Sequence, residues 1–119
     1  MNLTTLAEQL EMDEGEVGEI LWLFVETTTS ALRMLQSAIV KEESEKAAAA
    51  AHSIKGAAAN LQLKDIHEAA TGLERAIGDN HMEDTLDAID LIVDQLGQLM
   101  KILERSALLD ESEPEPGQT

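Results

Sequence analysis

Cysteine is absent from the 119 residues, which excludes disulfides, thiolate metal sites and a cysteine nucleophile, and is compatible with a reducing compartment. Aromatics are almost as scarce, with one Phe, one Trp and no Tyr. The aromatic and β-branched runs that build sheets are therefore missing, and the chain reads as all-α. Glycine is sparse, and the only prolines are Pro114 and Pro116. No stretch approaches the roughly 18 apolar residues of a membrane span, and the N-terminus lacks the basic region and apolar run of a signal peptide. The expectation is one domain of a soluble, cytoplasmic protein, long enough for a single core.

Positive charge is also in short supply. The chain carries 24 acids against 8 bases, a formal charge of −16. Nucleic acid and anionic membranes would be repelled, which makes both poor partners. The charge is unevenly spread. Met1 to Glu26 holds seven acids and no base, and Asp79 to Asp94 holds six acids and no base. Between Ala31 and Arg75, by contrast, six bases balance six acids. Acidic faces serve solubility; the neutral middle invites a closer look.

What is present is helical periodicity. A short stretch from Leu3 to Glu11 places Leu3, Leu6 and Leu10 on one side. Asp13 with Glu16 is a start signal for a helix running to about Val40, whose stripe is Val17, Leu21, Phe24, Thr28, Ala31, Leu35 and Ala38. Ser44 is placed to cap the next helix, which runs to about Leu61 with Ala47, Ala51, Ile54, Ala58 and Leu61 inward. After a turn at Gln62 to Lys64, Asp65 with Glu68 repeats the start signal, and Leu63, Ile66, Ala70, Leu73 and Ile77 form the stripe. Asn80 with Glu83 opens the last helix, where Met82, Leu86, Ile89, Val93, Leu96, Met100 and Leu103 keep the four-three spacing. Short turns force neighbours to run in opposite directions. The expectation is an antiparallel up-down four-helix bundle with a short extra N-terminal helix, covering residues 1–109, followed by an acidic, disordered tail over residues 110–119.

The third stretch is unusual. Around His52 the sequence offers alanine, glycine and one lysine, with only Ile54 and Leu61 as bulk. On a helical wheel His52, Lys55, Gly56, Ala48, Ala49 and Ala59 all fall roughly 100° to 220° from Ile54, on the outward side. A solvated face normally carries Glu, Lys, Gln and Arg; one made of alanine suggests a docking surface. Lys55 and Gly56 lie one turn beyond His52 on that face. The lysine is placed to neutralise an anion on the imidazole. The glycine opens room for a partner, at about 1 kcal/mol of helix stability relative to alanine. Counting equal distances either side of the turn near Gln62 brings Glu74 level with His52. Its carboxylate can accept from Nδ1–H and leave Nε2 as the nucleophile. The other reading of Glu74 is a solvated carboxylate paired with a neighbouring base.

The run His52-Ser53-Ile54-Lys55-Gly56-Ala57-Ala58-Ala59-Asn60-Leu61 resembles the signature of histidine-containing phosphotransfer domains. Leu21 to Phe24 upstream and Leu73-Glu74 downstream are similar to other stretches of that family, and the likeness covers roughly residues 3 to 105. One departure stands out: Gln62 occupies the family's closing glycine, which is expected to alter the turn. A monomer is expected, because the bundle buries its stripes internally; the resemblance implies a phosphocarrier in a two-component phosphorelay. His52 would accept a phosphoryl group from the aspartyl phosphate of a response-regulator receiver domain and pass it to another, downstream of a hybrid sensor histidine kinase. The receiver would supply Mg²⁺; this chain would need no cofactor of its own. It carries no phosphate-binding glycine loop or kinase motif with which to load itself.

Rival readings fare less well. A metal-binding bundle wants Glu-x-x-His pairs pointing inward, but the residues three before His52, His67 and His81 are Ala49, Lys64 and Gly78. No metal site is expected. His67 reads as a boundary residue and His81 as an exposed turn residue. The alternative that remains is a non-phosphorylated helical adaptor, whose binding to receivers or other signalling partners would survive replacement of His52 by alanine.

Overall fold

The computed structural model describes residues 2–112, with side chains as far as Leu108. Among them there are five helices and no strand: α1 (Leu3–Leu10), α2 (Glu14–Val40), α3 (Ser44–Asn60), α4 (Lys64–Gly78) and α5 (Met82–Ser112). Each long helix packs on its neighbour in sequence, and α5 returns to α2, closing an up-down ring. The stub α1 lies against α2 and α5. The expected bundle is therefore the one observed. The last helix continues to Ser112, so residues 110–112 are helical rather than tail. Residues 113–119, the remainder of the expected tail, lie outside the described residues.

The α3 side of the core is mostly methyl groups: Ala47, Ala50, Ala51 and Ala58 are buried, with Ile54 the only bulk. The volume is filled from neighbouring helices, by Leu32 and Leu35 of α2 and by Ile66 and Leu73 of α4. The inward residues expected for α4 are all buried. In α2 the stripe also takes in Val25 and Leu32, while Ala31 is half-buried.

The stripe expected for α5 is out of phase. Ile89 and Leu96 are buried, but Leu86 is 51% and Val93 50% exposed, and the inward line instead runs Thr85, Ala88, Ile92 and Leu99. Two apolar lines run down this helix, separated by one residue, and periodicity alone cannot say which one the other helices cover. Burial follows the line that α2 and α4 both reach.

The turns explain a second set of differences. Asp13 caps α2 as expected, its Oδ1 accepting from the Glu16 amide at 2.8 Å. Ser44, Asp65 and Asn80 do not cap. The residues preceding α3 and α4 are Glu43 and Leu63, and neither makes a side-chain cap. The reason lies in how the preceding helix ends. Glu42, Gln62 and Asn80 each adopt a left-handed backbone with φ of 58°, 56° and 57°. After each, the next amide bonds back five residues: Glu43 to the Ala38 carbonyl, Leu63 to Ala58, His81 to Ala76. These are Schellman closures. Their final residue is already the first cap position of the following helix, so no residue is left over to act as a side-chain cap. Only between α1 and α2 does one extra residue separate the two roles, and there the cap forms.

Gln62 thus makes the same turn a glycine would make, and the hairpin is kept. What it lacks is glycine's tolerance of positive φ, worth about 1 kcal/mol. We expect Gln62→Gly to raise the melting temperature by about 4 °C, read by thermal unfolding. An unchanged or lower midpoint would mean that the left-handed turn is not strained.

Candidate functional site

His52 projects from the outer face of α3 because Ala51 and Ile54, both buried, fix the helix rotation. Its side chain is 69% exposed. The α3–α4 hairpin sets the register that puts Glu74 beside it, with the buried Leu73 anchoring that stretch of α4. Nδ1 of His52 lies 3.0 Å from Glu74 Oε2, and Lys55 Nζ donates to Glu74 Oε1 at 2.6 Å. One carboxylate therefore joins both residues singled out by the sequence. The two readings of Glu74, ring partner and partner of a nearby base, hold together.

A carboxylate can only accept, so the hydrogen of a neutral imidazole sits on Nδ1 and the lone pair on Nε2. Among the described residues Nε2 has no hydrogen-bond partner, and the side chain that carries it is mostly exposed. The Lys55 hydrogen bond lowers the pKa of Glu74; burial opposes this, and the His52 hydrogen bond adds to the lowering. Glu74 is accordingly ionised at neutral pH. Lys55 does not meet the ring directly: its half-buried ammonium is engaged by Glu74.

This geometry predicts that Glu74→Gln slows any reaction at Nε2 by about tenfold or more, because an amide can present either end to the ring and no longer fixes the tautomer. It also carries a pH signature. A carboxyl whose folded pKa is lowered contributes stability that is present above its unfolded value and lost as pH falls through the folded value. The stability gap between the wild type and Glu74→Gln should thus be full at neutral pH and close in acid. A gap that widened in acid would contradict the ion pair.

The rest of the face is smooth. Ala49, Gly56 and Ala59 are exposed as expected, whereas Ala48 is half-buried, turned toward the core flank of α3. A Cβ added to Gly56 would meet nothing within 4 Å. The protein's own packing does not require that glycine. Of the other histidines, His67 is half-buried, and His81 is exposed with Nδ1 3.5 Å from Asp84 Oδ2. Among the described residues no three His, Asp or Glu side chains converge as a metal ion would need, and no helix is long and apolar enough to cross a membrane.

An exposed, hydrogen-bonded imidazole on a bare helix of a four-helix bundle invites comparison with known families. The family model for the Hpt domain matches residues 19–105. The chain belongs to the Hpt family. The matched span begins inside α2 and ends inside α5, so it contains the whole bundle apart from α1 and the outer ends of those two helices. Hpt domains are phosphocarriers that interact with receiver domains in phosphorelays. No curated protein and no solved structure matches the chain.

The sequence reading missed one neighbour of this Hpt face. Ser53 is exposed beside His52, and across from it α2 presents Arg33 and Met34, both exposed. Met34 falls outside the α2 stripe, which was the available signal.

Proposed function

We propose that this Hpt protein is a histidine phosphotransfer carrier, with His52 as the phosphoacceptor. The observation that carries the reading is the state of the imidazole: exposed, with Nδ1 tied to Glu74 and Nε2 unengaged. In this reading Nε2 attacks the phosphorus of a receiver's aspartyl phosphate. A nitrogen–phosphorus bond forms, the phosphorus–oxygen bond breaks, and the aspartate leaves as carboxylate. The Nδ1 proton stays where it is, between ring and Glu74, and stabilises the positive charge that develops on the ring. Any Mg²⁺ belongs to the receiver.

Lys55 has a part on either side of the step. Before transfer it holds Glu74 in place; once the phosphoryl group is on the ring, its ammonium lies one turn away to offset the added negative charge. Phosphohistidine and aspartyl phosphate are both labile, so transfer runs in either direction. Ala49, Gly56 and Ala59 give the receiver a flat surface to approach.

The test is incubation with a panel of phosphorylated receiver domains. The carrier reading expects acid-labile, alkali-stable label on this protein. Receivers that bind but transfer no label, with binding unaffected by His52→Ala, would instead establish an adaptor.

A further inference from the structure

A groove of about 600 Å³ runs between α2 and α3, immediately beside the His52 ridge. Its floor is methyl groups, from Ala31, Ala38, Ala49 and Ala50. Met34, 67% exposed, stands at its edge. The rim holds Arg33, Lys41 and Lys46 against a single carboxylate, Glu43. Three of the chain's eight bases are thus gathered at one groove of a protein that carries −16 overall. Glu43 is committed to Lys46 at 2.7 Å, while Arg33 and Lys41 make no ion pair among the described residues.

We propose that this groove selects the receiver: it takes an acidic segment of the receiver domain carrying an apolar side chain, while the phosphoaspartate of that receiver lies over His52. This rests on the carrier function proposed above. Continuity supports it. Ala49 and Ser53 line the groove and also flank His52, at one helical turn and one residue. A domain seated over the ring therefore meets the α2 edge without a second contact surface. Chemistry supports it as well. An alanine floor edged by an exposed methionine, an unbranched and adaptable side chain, accommodates an apolar side chain of variable shape, and two unpaired cations attract carboxylates and penalise a basic competitor.

The experiment reverses the two unpaired charges. Arg33→Glu with Lys41→Glu is compared with the wild type and with Lys101→Glu plus Arg105→Glu, an equal change of net charge at exposed positions of α5. Transfer from each phosphorylated receiver is measured against receiver concentration at low and high salt. For the receivers that the wild type uses best, the groove variant should need about tenfold more receiver for half-saturation, reach the same maximal rate, and lose most of its salt dependence. The α5 variant should follow the wild type. Equal behaviour of all three proteins would overturn the groove while leaving the carrier function standing. A wild type that takes no label from any receiver would remove the carrier function, and the groove proposal with it. Self-association of the wild type that disappears in the groove variant, with half-saturation unchanged, would assign the groove to a second copy of this chain and overturn the proposal.

Discussion

His52→Gln should bring phosphoryl acceptance down to background with every receiver while leaving the fold intact. The loss is expected to be complete because nothing near the ring can replace it. The neighbours on its face are Ala49, Gly56 and Ala59; Ser53, exposed beside it, has a hydroxyl with no hydrogen-bonded base among the described residues to activate it, and Lys55 and Glu74 are an ammonium and an ionised carboxylate already bonded to each other. The other two histidines are placed elsewhere, one half-buried on α4 and one in the turn before α5. The fold should survive because the side chain is mostly in solvent; a surface change of this kind is worth within about 0.5 kcal/mol. Glutamine also keeps a donor for Glu74. The measurement is label transfer from phosphorylated receivers, with circular dichroism and thermal unfolding as the check on folding. Label that persists in the folded variant would place the phosphoacceptor at another residue.

The second large effect separates stability from function at one position. Gly56 is exposed, mid-helix, and open to space where a side chain would go. Within this protein, Gly56→Ala should be stabilising by about 1 kcal/mol, since the glycine contributes only backbone freedom to the unfolded chain. Gly56→Gln should also fold at least as well as the wild type. Its side chain, however, would stand one turn from the ring, on the surface proposed for the receiver. Displacing the phosphoaspartate by even about 1 Å from its line of attack costs about a hundredfold in rate. We therefore expect Gly56→Gln to raise the melting temperature yet transfer about a hundredfold more slowly. Paired unfolding and single-turnover transfer measurements decide it. A variant that transfers at the wild-type rate would mean that no partner approaches this face, whatever the chemistry at His52.

Together the two variants distinguish ways of failing. The first removes the nucleophile and leaves the surface; the second leaves the nucleophile and spoils the surface. A carrier needs both, whereas an adaptor that used only the surface would respond to Gly56→Gln and ignore His52→Gln.

Much of this was legible in the residues themselves. Local spacing dictates which side of α3 is inward, because Ile54 is the one bulky residue near its middle and the alanines offer no competing stripe. The outward position of His52, Lys55 and Gly56 follows from that rotation alone. The register of Glu74 was within reach too, since two helices joined by a tight turn place residues equidistant from it side by side. Ala48 falls within the outward arc yet is half-buried, because on its side of α3 packing against the core rather than the wheel sets exposure.

In α5 the apolar residues form two adjacent lines, and which one is buried depends on where α2 and α4 stand. That information resides on other helices. The caps failed for a related reason. Ser44, Asp65 and Asn80 are good capping residues taken singly, but the closure of each preceding helix had already claimed the position a cap would use.

The amino-acid order by itself determined that the chain is helical, how many long helices it has, and that one imidazole sits on a face cleared of bulk. These depend on neighbours within a turn or two, where spacing translates directly into direction. Tertiary structure decided which line of α5 is covered, that Glu74 serves His52 and Lys55 at once, and that cations from two helices border one groove. Those are meetings between segments far apart in sequence, and only packing sets the distances at which such side chains meet.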